Sequence, residues 1–384
     1  MRKKVIHLVS SPATSGVTAT IRLLATACDP DRFEHHLVHY GPHEGIAPDL
    51  QSQGLPVHAL AAPPPWTGPL RTRLIHARLA RLLRRLRPDV IHAHSFDADL
   101  VAVRARPHRV PVLVTCQSFS YIRWMERVPR QYARHGRNLS LYACVCQSLA
   151  EGIRNTGIVP DPPVLVVYNV PDRRFFEPIG AQERRQARSE LGLGPDEIAV
   201  ACVANFHPVK GQDVLAEAFA RLAGSIPRLR LVLAGSVMPG PGCEEHRART
   251  LSVLQAHLET GRALLMDPCR DSRTVLAAAD LYVQPSRTEA LSVAIGEALA
   301  CGLPVAATAV GGNPEIVLHG QTGLLVPPDD PVAMAAAVGR LVSDRPLRDR
   351  LGQEGRRFAV ARLSPDAMVE AYRLVYAGLT AQAS

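Results

Sequence analysis

LYVQPSRTEALSVAIGEALACGLPVAATAVGGNPEIV, residues 281–317, holds a strand, a turn, a helix and a second strand in one short unit. LYVQPS is apolar, rich in strand formers and stopped by Pro285. Leu291, Ile295, Ala298 and Leu299 then recur at helical spacing, and Gly302 ends that helix before the apolar run PVAATAV. The pattern predicts a βαβ element of a parallel sheet. Two carboxylates bracket the turn, Glu289 before the helix and Glu297 inside it, with seven residues between them. A helix start presents N–H groups without intrahelical partners and about half a positive charge, so the backbone at Leu291, Ser292 and Val293 suits an anion such as a diphosphate. Carboxylates beside such an anion suit hydroxyl groups, whose hydrogen bonds they accept. A nucleotide sugar carries both features. Taken alone, two acids eight residues apart on a helix read more plainly as surface charge.

Upstream, IAVACVANFHPVKGQDVLAEAFARLA predicts a strand, a loop and an amphipathic helix, and Lys210 lies in that loop. The chain has 41 arginines and three lysines, and Lys3 and Lys4 are the other two. A lone lysine in an arginine-rich body suits a compact ammonium directed at a diphosphate, for which arginine is not an equivalent replacement. No G-x-x-x-x-G-K-[ST] precedes it, so a P-loop is excluded.

With these motifs in view, the chain resembles the family 4 glycosyltransferases. The likeness rests on the two glutamates seven residues apart, the run ACGLPVAAT, the turn GGNPEIV and the later GQTGLLVPP, and extends more weakly across the first half. It implies the GT-B architecture: two doubly wound Rossmann-like α/β domains facing one another over an interdomain cleft. It also implies retaining transfer from a nucleotide-diphosphate sugar, UDP- or GDP-linked, to a glycan, lipid-linked or small-molecule acceptor. Within it Glu289 meets the donor sugar, Glu297 the ribose, and Lys210 the leaving diphosphate. The family's paired arginine is replaced by Asn205, and His207 stands where a variant motif carries arginine. DPCRDSRT represents the loop expected beneath the nucleotide base. A nucleotide-sugar epimerase and a noncatalytic nucleotide-sugar-binding subunit are the alternatives on the same scaffold.

In the first half, KKVIHLV is a strand entering SSPATSGVTAT, whose one glycine, Gly16, is half of the family's usual glycine pair under the diphosphate. The loop is not G-x-G-x-x-G, which argues against a dehydrogenase-type dinucleotide fold. RPDVIHAHSFDADL is an apolar strand resembling the family's P-D-V-x-H-x-H. His94 is expected beyond its carboxyl end, where ligands of open α/β sheets bind, and His92 within the packing. In PVLVTCQSF, Gln117 takes the place of the family's histidine beside the donor sugar; its amide still suits a hydroxyl. LYACVCQSLAEG reads as a strand entering a helix capped by Ser148.

A chain of 384 residues fits two domains. The expected limits are 1–180 for an acceptor-side domain, 181–360 for a donor-binding domain, and 361–384 for a final helix returning to the first. Residues 1–180 carry 23 Lys and Arg against 13 Asp and Glu, whereas 181–384 carry 21 against 22. The basic half suits an acidic partner, or is merely a solvated arginine-rich surface. Its basic helix, about Leu70 to Leu86, has a continuous apolar stripe. It reads either as lying peripherally on an anionic membrane or as an ordinary sheet-covering helix. Sparse aromatics and the lack of a reading helix argue against nucleic acid. No apolar run is long enough to span a bilayer, and VIHLV is too short for a signal peptide, so a cytoplasmic protein is expected. Eight scattered cysteines without a C-x-x-C pair, and no Asp-x-Asp at a strand end, indicate no metal; no cofactor is implied beyond the nucleotide-sugar substrate.

Overall fold

The computed structural model describes residues 2–10, 16–41, 45, 47–60, 68–94 and 97–382. The chain forms two compact units, residues 1–169 with 365–384, and residues 170–364. The sequence reading set these limits at 180/181 and 360/361. The difference at the first limit has a plain cause. Arg184 and Arg188, one turn apart on the helix Ala181–Glu190, both clasp Asp280, at 2.7 and 3.1 Å. Ahead of them, Arg174 pairs with Asp271 at 3.0 Å and Phe175 is buried, so residues 170–180 belong with the second unit.

The first unit is a seven-stranded parallel sheet: β1 (Lys3–Val9), β2 (Phe33–His39), β3 (Val57–Ala59), β4 (Val90–Ala93), β5 (Val112–Cys116), β6 (Leu141–Cys144) and β7 (Val164–Val166), in the order β3-β2-β1-β4-β5-β6-β7. The second has six parallel strands: β8 (Ile198–Val203), β9 (Leu229–Ala234), β10 (Ala263–Met266), β11 (Leu281–Gln284), β12 (Val305–Thr308) and β13 (Gly323–Val326), in the order β10-β9-β8-β11-β12-β13. Parallel strands covered on both faces are apolar throughout rather than alternating, as IAVACV and LYVQ are. Each order reverses once, between β1 and β4 and between β8 and β11. Those switch points open crevices at the strands' carboxyl ends.

Local chemistry sets the helix limits. Ser292 accepts the Ile295 N–H and caps the helix Val293–Ala300, which closes before Gly302 at φ +80°. Asp330 accepts two N–H groups ahead of Pro331, and Asp344 caps the next helix. Cys146, not Ser148, caps Gln147–Asn155. The helix after β1 begins at Gly16, which the sequence reading places in the loop; residues 11–15 lie outside the described residues. The basic helix spans Gly68–Leu86 with Ile75, Leu79 and Leu83 buried, the stripe a sheet-covering helix needs. Among the described residues, no helix is long and apolar enough to cross a membrane. The final helix, Pro365–Gln382, packs on the first unit through Tyr372 and Tyr376.

Candidate active site

In the second unit, the loops after β8 and β11 meet at the switch point. Lys210 ends the short turn Pro208–Lys210, and its Nζ donates to Glu289 Oε2 at 2.7 Å. Ser286 Oγ donates to the same oxygen at 3.1 Å. Behind Ser286 the donors continue inward: Gln284 Nε2 reaches Ser286 Oγ at 2.8 Å, and the Tyr282 hydroxyl reaches Gln284 Oε1 at 2.6 Å. Gln284, Ser286 and Tyr282 are buried, so this chain fixes the Glu289 carboxylate in one orientation. Ser292 Oγ also donates to Gln284 Oε1, at 3.3 Å, tying the start of the Val293–Ala300 helix to the same network. Leu291 and Ser292 are buried and Val293 half-buried, so the first-turn amides lie beside the carboxylate's support.

Glycine makes the meeting of the loops possible. Gly211 has φ +67°, and a Cβ there would lie 2.1 Å from the Pro285 carbonyl oxygen. Gly211→Ala should therefore cost unit 2 about 1–2 kcal/mol from backbone conformation alone, with a further loss as the Pro285 loop moves. Urea unfolding measures it; an unchanged midpoint would mean that the loops are not in contact.

Glu297, in the second turn of the Val293–Ala300 helix, lies among Ser272, Arg174, Asp172 and Asp271. Burial pushes its carboxyl up to about 7, opposed by the Ser272 hydrogen bond and the Arg174 charge and reinforced by the two aspartates. Ser272 and Asp271 come from DPCRDSRT, so the structure brings Glu297 to the loop expected beneath the base. Asn205 and His207 take local roles. Asn205 Oδ1 accepts the Ser236 N–H at 3.2 Å, and His207 Nδ1 accepts the Val209 N–H at 3.1 Å, capping the turn that carries Lys210.

The first unit holds a different cluster. β1 and β4 pair His7 with His92, and His94 follows two residues on along the same face. His94, expected at an open strand end, is 1% exposed and lies in the core. Its Nε2 meets His7 Nδ1 at 2.9 Å; His7 Nε2 meets His35 Nδ1 at 2.9 Å; His35 Nε2 meets the Cys28 carbonyl at 3.2 Å. A carbonyl only accepts, so His35 Nε2 carries a proton and its Nδ1 accepts. Each imidazole in turn then donates from Nε2, and His94 Nδ1 is left as a buried lone pair without a partner among the described residues. Burial holds all three neutral, with His35 lowered to about 4, His94 to about 3, and His7 well below its ordinary value. His92 is spent on Tyr376 and Thr115, at 2.8 and 2.6 Å. His7, His92 and His94 bring ligand atoms within 4.8 Å of one another, a spacing the sequence did not reveal. Hydrogen bonds engage five of those six nitrogens.

Gln117, just past β5, is half-buried, and its Nε2 has no partner among the described residues. A cavity of about 470 Å³ lies in the same unit, lined by Ser10 and Tyr40 at strand ends and by His76, Asp97, Arg104 and Gln131. The Tyr40 hydroxyl donates to Asp97 at 2.8 Å and Arg104 to Gln131 at 3.1 Å, while His76 Nε2 is buried without a partner among the described residues.

A family model described as glycosyl transferase 4-like domain matches residues 15–170, and one described as glycosyl transferases group 1 matches residues 183–358. The chain belongs to the group 1 glycosyltransferases. A D-inositol 3-phosphate glycosyltransferase of Streptomyces bingchenggensis is 35% identical over 206 residues, which are 53% of this chain and 45% of that protein, so the match spans less than half of the relative. The N-acetyl-alpha-D-glucosaminyl L-malate synthase of Bacillus anthracis is 24% identical over 78% of this chain and 77% of its own. Among solved structures, Anabaena HepE in complex with UDP superposes with a TM-score of 0.80 at 20% identity, covering 98% of this chain and 100% of that one, a likeness of fold. The fold of this group 1 glycosyltransferase is thus GT-B: two parallel-sheet Rossmann-like domains.

For this glycosyltransferase, sequence reasoning named Lys210, Glu289 and Glu297 but missed what holds them. Arg287, two residues before Glu289, bonds both the Lys210 turn and Asp213, and the buried triad Tyr282, Gln284 and Ser286 orients Glu289. A signal was present: Arg287 is the one charged residue between Asp280 and Glu289.

Proposed function

We propose that this chain transfers a sugar from a UDP- or GDP-linked donor to a hydroxylated acceptor, with retention at the anomeric carbon and without a metal ion. The observation that carries the reading is the Lys210–Glu289 pair at the β8/β11 switch point, next to the start of the Val293–Ala300 helix. A donor diphosphate competes with Glu289 for the Lys210 ammonium and takes the first-turn amides; Glu289, released, accepts hydrogen bonds from sugar hydroxyls. Glu297, beside Ser272 and Asp271, is suited to the ribose. In the transfer the bond from the anomeric carbon to the phosphate oxygen breaks and a bond to the acceptor oxygen forms. The acceptor proton passes to the leaving phosphate, so the protein's part is to stabilise diphosphate charge.

The first-unit cavity fits the size of a small hydroxylated acceptor. Arg104 on its lining suits an anionic group, in keeping with relatives named for D-inositol 3-phosphate and L-malate. Gln117 Nε2 is available to a hydroxyl.

The test is a melting-temperature panel of UDP-, GDP- and ADP-sugars with EDTA present, read beside slow nucleoside-diphosphate release. One donor class should raise the melting temperature and be hydrolysed, and Glu297→Ala should abolish the shift. If no member shifts the protein, the nucleotide-sugar reading is wrong. A shift without release, even when polyol phosphates and hydroxy acids are supplied as acceptors, would favour the binding subunit.

A further inference from the structure

The loop carrying Glu289 is fastened to the turn carrying Lys210 by the residue two positions upstream. The Arg287 backbone N–H donates to the Val209 carbonyl at 2.8 Å. Its Nη1 donates to the Pro208 carbonyl at 2.7 Å and to Asp213 Oδ1 at 2.9 Å, and Nη2 donates to Asp213 Oδ2 at 3.0 Å. Nε donates to Asp329 Oδ1 at 2.6 Å. Pro208 and Val209 directly precede Lys210, and Asp213 lies in the first turn of the following helix, Gln212–Ala223. One guanidinium therefore grips both sides of the Lys210 turn and a third loop. Asp213 is 7% exposed and its Oδ2 is also gripped by Arg249 at 2.9 Å, so the anchor is itself held. The fork geometry matters: four guanidinium bonds reach two carboxylates and one carbonyl at once, which a point ammonium cannot do.

We infer that Arg287, anchored on Asp213, is a positioning residue that sets where the Lys210 ammonium sits and so gives the site its preference for a diphosphate over a monophosphate. The inference rests on the reading of Lys210 as the diphosphate's partner. Arg287 acts through the turn, its guanidinium being already engaged by protein groups.

Titration calorimetry with UDP against UMP, and GDP against GMP, tests this in wild type, Lys210→Ala, Arg287→Lys, Asp213→Asn and the double variant Arg287→Lys with Lys210→Ala. Wild type should bind its diphosphate at least about tenfold more tightly than the monophosphate, and Lys210→Ala should erase that ratio. Arg287→Lys and Asp213→Asn should cut the ratio several-fold with the monophosphate Kd unchanged. Arg287→Lys should add nothing in the Lys210→Ala background, since two residues acting through one contact are non-additive. Equal weakening of both nucleotides, or an effect undiminished without Lys210, would overturn the positioning role while leaving the site reading intact. An unchanged ratio in Lys210→Ala would instead overturn the site reading. Should Arg287→Lys fail to fold, Asp329→Asn, which removes one peripheral bond, should shift the ratio in the same direction, and no shift there would overturn the proposal.

Discussion

Lys210→Ala should lower kcat/KM by about a hundredfold to a thousandfold, the range expected when a charge-stabilising donor is removed from a transition state. The same change should move the melting temperature by only a few degrees. Lys210 and Glu289 retain 26% and 13% exposure of their side chains, so losing the pair costs about 1 kcal/mol of stability, far less than its catalytic effect. The asymmetry arises because Glu289 is oriented from behind by Ser286 and Gln284, which the substitution leaves in place. Lys210→Arg should rescue little, since a planar fork does not fit where a compact ammonium meets Glu289 at 2.7 Å. Donor-saturated turnover and thermal melting, measured on one preparation, separate the two effects. Activity within twofold of wild type would remove Lys210 from the chemistry.

The second large effect is on stability against acid. His7, His35, His92 and His94 are buried and held neutral, with folded values depressed from 6.5, to about 4 for His35 and about 3 for His94. The unfolded chain takes up these protons as pH falls through 6.5, and the folded chain does not. The stability they confer is therefore complete above pH 6.5 and is lost as pH drops toward 4 and below, each group contributing about 1.4 kcal/mol per pH unit. Asp99 works in the opposite sense. Burial raises its carboxyl to about 7, against the Tyr121 and Tyr132 hydrogen bonds, so acid relieves its strain between pH 7 and 4. Four groups outweigh one, and the first unit should lose on the order of 3–4 kcal/mol per pH unit below pH 6. Trp124 lies in the first unit and residues 170–364 carry no tryptophan, so the fluorescence change does not come from the second unit. The urea midpoint by fluorescence should fall steeply from pH 7 to 5; a flat midpoint would mean that the histidines are protonated within the fold.

Much of the fold was legible because parallel strands are apolar from end to end and the breaks between them carry chemistry of their own. LYVQPS, Ser292 and Gly302 mark the ends of β11 and its helix without any knowledge of neighbours. The reading failed where a partner distant in sequence decides the outcome. His94 looked like a residue at an open strand end because nothing within RPDVIHAHSFDADL shows that His7 stands on the adjacent strand, facing the same way. Arg287 and Asp213 are 74 positions apart, and only the switch point of the second sheet brings them together. The limit between units was misplaced for the same reason: Arg174 lies ahead of the expected limit, and its partner Asp271 stands far along the chain in the second unit.

The return of residues 365–382 to the first unit has a consequence for synthesis on the ribosome. The second unit is one continuous stretch, 170–364, and can finish folding as soon as that stretch has emerged. The first unit, though made first, must wait for residues 365–382, because Tyr372 and Tyr376 supply the hydroxyls that Thr115 and His92 bond in its core. The order of folding is thus the reverse of the order of translation, and a chain released early would carry a finished second unit behind an uncovered face of histidines.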